Sequence, residues 1–199
     1  FMATNNHTDS GLPDQKLRLA ARALGRAGLV HAYGHCSTRL SDNSFLVCAA
    51  EPMATITPSE NGTVVPVEGE LPAGVLGEVR IHQYIYQHHP EINAVCRIMP
   101  PSIMALSTQG LTPRARHGLS AYFADNIPLW NNPRLLRNNE DAASLVDLMG
   151  NHPAIVMRGN GAVVMGESLE QAVAYSWYLE DSARIELAIR GSGFDPESG

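Results

Sequence analysis

The stretch Glu91-Ile-Asn-Ala-Val-Cys-Arg-Ile-Met-Pro-Pro-Ser102, continuing to Ser107, decides how the rest of the chain is read. Ala94 to Ile98 is an apolar run of strand length; it stops at Pro100-Pro101, and Ser102-Ile-Met-Ala-Leu-Ser107 restarts as a helix. A strand-to-helix corner of this kind sets side chains in the mouth of a pocket, because the last residues of a strand are held by the sheet behind them. Arg97 and Met99, two apart, share one face of that strand.

Upstream, the pattern is helical from Gly77 onward. Glu78, His82 and Ile85 fall on nearly one face, Ile81, Tyr84 and Ile85 supply the apolar side, and His89-Pro90 ends the element. This helix runs directly into the strand, so Glu78 and His82 are expected near Arg97. Farther upstream, Pro13 to Ala27 reads as a helix with Leu17, Ala20, Ala21 and Leu24 on one stripe. Gly34 to Leu40 passes from turn to strand, Ser44 to Ala49 is its antiparallel partner across Asp42-Asn43, and Thr63 to Val67 is another strand.

Downstream, Arg116-His117-Gly118 and Ile127-Pro-Leu-Trp130 read as short strand-like pieces among loops. Asn139 to Met149 is a helix capped by Asn138 or Asn139. Pro153 to Met157 and Ala162 to Met165 are strands flanking the turn Arg158-Gly-Asn-Gly161. Ser168 to Ile189 is the last helix, with Leu169, Val173, Trp177, Ala183 and Leu187 expected in the core.

With 199 residues, 44% of them hydrophobic and 17% charged, the chain is expected to bury one sizeable core. The expected organisation is a flexible segment over 1–12, a single domain over 13–190 and a tail over 191–199. A formal net charge of -6 without a basic run argues against nucleic acid or an anionic membrane as partner. No apolar run reaches the roughly 18 residues that span a bilayer, and the polar start lacks a secretory apolar region, so a cytoplasmic location is expected. Cys36, Cys48 and Cys96 are few and lack CxxC spacing, which fits buried small hydrophobes better than a disulfide framework or a zinc knuckle.

Several motifs occur together in a fixed order: Gly34-His-Cys-Ser-Thr-Arg39, Ile56-Thr-Pro-Ser59, Glu78-x-x-x-His82 before Ile85-Tyr86, Pro90-Glu-Ile-Asn-Ala-Val95, and Arg158-Gly-Asn-Gly-Ala162. In that order they resemble the class II aldolase/adducin family over about residues 14 to 190. The resemblance implies an α/β fold, a three-layer α/β/α domain with a central, mainly antiparallel sheet. It also implies assembly as a homotetramer with active sites between subunits.

The family's chemistry uses a divalent metal held by a His-x-His pair and a third His, with the ion acting as a Lewis acid toward an enolate. The positions that resemble those ligands are Arg97, Met99 and Asn160. A guanidinium has no lone pair to give, and a thioether and an amide are weak donors to a hard ion. No cofactor is therefore expected, and a divalent metal only through a site rebuilt from residues such as His35, His82 and His117. The family's phosphate pocket is altered too: its turns correspond to Gly34-His35, Ser59-Glu60 and Leu76-Gly77, and a carboxylate at Glu60 would repel a phosphate dianion.

What remains points to a small carboxylic acid, oxo- or hydroxy-substituted and of the aromatic type that some relatives decarboxylate. Glu78, His82 and His117 are the candidate proton carriers. Arg97 is the cation that holds a carboxylate or stabilises an enolate; His35, Arg39, Met99 and Asn160 are the remaining candidates for substrate contact, with Arg158 a weaker one. Lyase chemistry of the aldolase or decarboxylase type leads. Metal-free isomerisation, dehydration or cyclisation in the same pocket, and a non-catalytic scaffold of the adducin kind, stay open. Each residue also has a plainer reading: Glu78 and His82 as a solvated helix pair, Arg97 as a structural ion-pair partner, Met99 as core filler, and Asn160 as a turn residue.

Overall fold

The computed structural model describes residues 11–123 and 126–193. Most of the expected flexible start and of the expected C-terminal tail lies outside the described residues, and Leu12, expected in that start, already belongs to the first helix. Helix α1 spans Leu12–Arg26, and strands β1 (His35–Ser41), β2 (Ser44–Val47) and β3 (Thr63–Pro66) follow. A 3-10 turn, Gly77–Val79, opens α2 (Arg80–His88), which leads into β4 (Ala94–Ile98) and α3 (Pro101–Thr108). The chain continues through a 3-10 segment, Gly118–Phe123, to β5 (Leu129–Trp130), α4 (Asn139–Met149), β6 (Ala154–Met157), β7 (Ala162–Gly166) and α5 (Leu169–Gly191). The α/β architecture expected from the resemblance is the one observed, and β4 and α4 have the expected bounds. Arg116-His117-Gly118 differs: it is irregular chain running into the 3-10 segment, not strand.

The described strands form one seven-stranded sheet in the order β3-β2-β1-β4-β7-β6-β5. Every pairing is antiparallel except β5 with β6. The pleat sends alternate residues of β4 to opposite layers. Ala94, Cys96 and Ile98 join α1, α3 and α5 in one core, while Val95 joins α2 and α4 in the other. Arg97 follows Val95 onto the α2 side. All three cysteines are buried and free, as their spacing suggested. No helix among the described residues is long and apolar enough to cross a membrane.

In α5 Leu169, Val173 and Ala183 lie in the core and Leu187 packs against it, as expected, but Trp177 is 40% exposed and the inward face continues through Ala172, Ser176, Leu179 and Glu186. Steps of three and four keep a stripe on one face, whereas repeated steps of four, as from 169 to 173 to 177, rotate around the helix and leave it. The buried polar members have partners. Glu180 accepts hydrogen bonds from the Ser102 and Ile103 N–H groups at 2.9 and 3.1 Å, at the N-terminus of α3, and Glu186 pairs with Arg116 and Arg190. A buried carboxylate on two orphan amides closes the corner after β4. Glu180→Ala is therefore expected to lower stability by about 2 to 4 kcal/mol, measured by urea unfolding; a change within error would mean that the corner holds without this cap.

Candidate active site

Residues at the C-terminal end of β4 open into a cavity of about 640 Å³. Tyr33, Gly34 and His35 form one wall, Leu76, Gly77 and Glu78 a second, Arg97 and Met99 the floor, and Leu135, Arg137 and Asn160 the remaining side. A larger depression of about 790 Å³ lies between the Gly110–Arg116 loop and the end of α5. Among the described residues, the buried polar side-chain atoms without a hydrogen-bond partner are His35 Nε2, Glu78 Oε1 and Asn160 Nδ2. All three belong to residues around the smaller cavity, which makes it the place where a ligand's polar atoms are wanted.

Arg97 is 2% exposed. Its Nε donates to Glu78 Oε2 at 3.1 Å and its Nη1 to the Ile98 carbonyl at 2.7 Å, while Nη2 has no partner among the described residues. Burial pulls its pKa down, and the Glu78 charge works against that shift. Strand register sets His35 directly opposite Arg97, so the imidazole lies beside the guanidinium.

Behind His35 the two periodicities match. Two residues along a strand advance about 6.6 Å and four along a helix about 6 Å, so His35 and Ser37 of β1 meet His82 and Tyr86 of α2. His35 Nδ1 is 2.8 Å from His82 Nε2, His82 Nδ1 is 2.6 Å from Ser37 Oγ, and Ser37 Oγ is 2.8 Å from the Tyr86 hydroxyl. Burial, then the neighbouring His82 and Arg97, hold the His35 pKa well below its usual value. Burial, then Arg97, takes His82 down to about 3. Both rings are neutral at pH 7.

The sequence candidates therefore divide. His35, Glu78, Arg97, Met99 and Asn160 surround one cavity. His82 lies one layer back, bonded to His35 and Ser37 rather than to Glu78. His117 is held against α5, with Nε2 3.2 Å from Ser182 Oγ, away from the residues that line the cavity. Arg39 spends its guanidinium on the carbonyls of Ile92, Tyr86 and His89 and on the Tyr86 ring, and Arg158 donates to Asn131. Asn160 reaches the cavity because Gly161, at φ +83°, brings the β6–β7 turn against the Ile98 carbonyl, where a Cβ would overlap it. The sequence reading passed over Tyr33, Leu135 and Arg137, which lie in irregular segments and carry no periodic signal, and it assigned no role to Ser37 and Tyr86. The two-residue and four-residue spacings just described were the available clue for that pair.

The family's metal does not fit these residues. Arg97 brings positive charge to the position of one ligand, and Met99 and Asn160 are poor donors at the others. Among the described residues no three His, Cys, Asp or Glu side chains stand close enough to hold a metal ion. His35 and His82 bond each other and His117 is elsewhere, so those three do not form a rebuilt site. At the altered phosphate turn, Glu60 Oε2 accepts from the Thr57 N–H at 2.6 Å, and the Thr57 and Ser59 hydroxyls bond each other at 2.8 Å. That turn's Thr57 amide and one of its two hydroxyl hydrogens are occupied from within.

Comparison with known proteins shows the family. Residues 15–187 match the Class II Aldolase and Adducin N-terminal domain, and the chain belongs to that family. It is similar to 3,4-dihydroxyphthalate decarboxylase of Arthrobacter keyseri, 29% identical over 196 residues that cover 90% of this chain and 79% of the relative. The protein of the same name from Rhodococcus jostii is 28% identical, with 87% and 79% covered. Among solved structures, L-fuculose-1-phosphate aldolase from Thermus thermophilus superposes with a TM-score of 0.80 at 27% identity, covering 91% of this chain and 97% of that one. On these likenesses the chain is an enzyme of the lyase class.

The neutral imidazoles give a prediction with a defined sign. Below an unfolded-state value near 6.5 the unfolded chain takes up protons that the native rings refuse, so stability falls as pH drops from about 6.5 toward 3. Each ring is expected to cost roughly tenfold in the folded-to-unfolded ratio per pH unit. Urea unfolding of the wild type and His82→Gln between pH 7 and 5 should show the variant's slope reduced by one proton; equal slopes would show that the His82 ring takes no part.

Proposed function

We propose that the cavity decarboxylates a small hydroxylated aromatic acid, with Glu78 carrying the proton and Arg97 holding the oxygen that gains charge. The observation that carries this reading is the Arg97–Glu78 pair, whose unpartnered Nη2 and Oε1 both remain for a ligand. It is supported by similarity to the two 3,4-dihydroxyphthalate decarboxylases.

A ring hydroxyl gives its proton to Glu78 Oε1, and the oxygen's electrons flow into the ring. The carbon bearing the carboxylate then takes a proton from Glu78 and becomes tetrahedral, leaving the oxygen as a carbonyl. When the bond from ring to carboxylate breaks, its electron pair returns to the ring and onward to that oxygen, and CO2 leaves. The oxygen, left as a phenolate, then takes a proton from solvent, so the sum is one carboxylate and one proton giving an arene and CO2. In the breaking step charge leaves the carboxylate and arrives on the ring oxygen. A cation on the departing carboxylate would oppose that flow, whereas on the ring oxygen it favours it. Arg97 is accordingly assigned to the oxygen, and the apolar side chains of Leu76, Met99 and Leu135 to the departing CO2.

Sugar phosphates are disfavoured by the self-occupied turn at Glu60. The homotetramer implied by the family resemblance would place another copy over the mouth, where Tyr33, Leu76 and Leu135 are exposed.

The test is CO2 release from 3,4-dihydroxyphthalate, from phthalate without ring hydroxyls, and cleavage of L-fuculose 1-phosphate. Turnover of the first alone is expected. Glu78→Gln preserves an acceptor for Arg97 but not proton transfer, and should lower kcat about 10²- to 10⁴-fold. Arg97→Lys, with its fork lost, should lower kcat/KM by about 10²-fold. Release of CO2 from phthalate at a similar rate would remove the ring oxygen, and with it the role given to Arg97.

A further inference from the structure

A line of buried hydrogen bonds runs from the core to the cavity, and its direction follows from the number of hydrogens available. Tyr86 OH, Ser37 Oγ, His82 and His35 are joined by three contacts of 2.8, 2.6 and 2.8 Å, and each contact holds one hydrogen. The Tyr86 hydroxyl has no other partner among the described residues, so its hydrogen goes to Ser37. The Ser37 hydrogen then goes to His82 Nδ1, the remaining neighbour of that oxygen. His82 keeps its proton on Nε2 and donates it to His35 Nδ1. That leaves the His35 proton on Nε2, the buried atom without a partner at the cavity. Reversing the line strands the tyrosine hydrogen in the core, and letting both Tyr86 and His82 donate to Ser37 strands the serine hydrogen. Either alternative leaves a buried donor unsatisfied. Neutral rings, which this count assumes, follow from the burial of both imidazoles and the adjacent Arg97 cation.

We propose that Tyr86, Ser37 and His82 are positioning residues that fix His35 as its Nε2–H tautomer, so that it offers a substrate oxygen a hydrogen rather than a lone pair. His35 then joins Arg97 and Asn160 as a donor toward one oxygen, and Glu78 Oε1 is left as the acceptor among the unpartnered buried atoms. The division of labour is fixed before any ligand arrives: His35 holds an oxyanion and does not act as the base. The tautomer assignment stands on the unliganded protein, while its use rests on the decarboxylation reading above.

Long-range 1H–15N correlation spectra of the uniformly labelled, unliganded protein at pH 7 read the tautomer directly. Protonated Nε2 and bare Nδ1 are expected for both His35 and His82; a proton on Nδ1 of His35 would overturn the proposal whatever the substrate. Binding of 3,4-dihydroxybenzoate, measured by calorimetry, separates positioning from simple packing. His82→Gln keeps an amide hydrogen aimed at His35 and should bind like the wild type, whereas His82→Leu, if its near-ultraviolet circular dichroism is native, should bind about tenfold more weakly. Equal weakening in both variants would sink the positioning role. If the wild type does not bind this acid, the decarboxylation reading loses support and the spectra alone decide the tautomer.

Discussion

A guanidinium with almost no access to water must find its counter-charge inside the fold, and the site is arranged around that demand. Removing an ion from water costs several kcal/mol unless a partner with good geometry compensates. The pleat of β4 sends Arg97 to the α2 layer, and the 3-10 turn before α2 delivers Glu78 to it. One more consequence follows from burial and register: His35, opposite Arg97, and His82 behind it are cut off from water and next to a cation, so both stay neutral. Burial is the main reason that both rings stay neutral, and the single buried cation adds to it while offering its own donors.

The family resemblance assigns that position to a metal-ligating histidine, and the substitution preserves part of what an ion would do. In the decarboxylation proposed above, both would place positive charge at a developing oxyanion. They differ in reach, since a metal has coordination positions that a substrate can enter and a guanidinium has hydrogens at fixed angles. In that proposal, a site built on the latter would favour a flat substrate whose oxygen lies in the plane of the fork, as an aromatic ring's does.

The sequence was most legible where one local rule governed. Ala94–Ile98 is a short apolar run between a helix-ending proline and a proline pair, and Asn139–Met149 begins at a capping asparagine whose side chain accepts from the Asp141 N–H. Glu78 beside Arg97 was also foreseeable, because helix and strand are consecutive. Less was legible where two distant elements had to be aligned. His82 looked like a partner for Glu78 because both were read onto one helix; in fact Glu78 sits on the preceding 3-10 turn and His82 faces β1, a pairing fixed by sheet register. His117 was placed by the resemblance alone, and its contact with Ser182 depends on how the irregular chain before the 3-10 segment packs on α5. Trp177 was assigned by its four-residue step from Val173, and a second such step from Leu169 turns it off the face that Leu169, Val173 and Ala183 bury.

The turn at Thr57–Glu60 carries an implication of its own. Its amide already holds a carboxylate tethered three residues away, and a tethered group competes at an effective concentration in the millimolar range or above. A free dianion approaching this turn meets an occupant that does not diffuse away, so it must displace Glu60 to reach this amide. The turn itself remains in place beneath that occupant, and the carboxylate that engages its amide comes from the same chain.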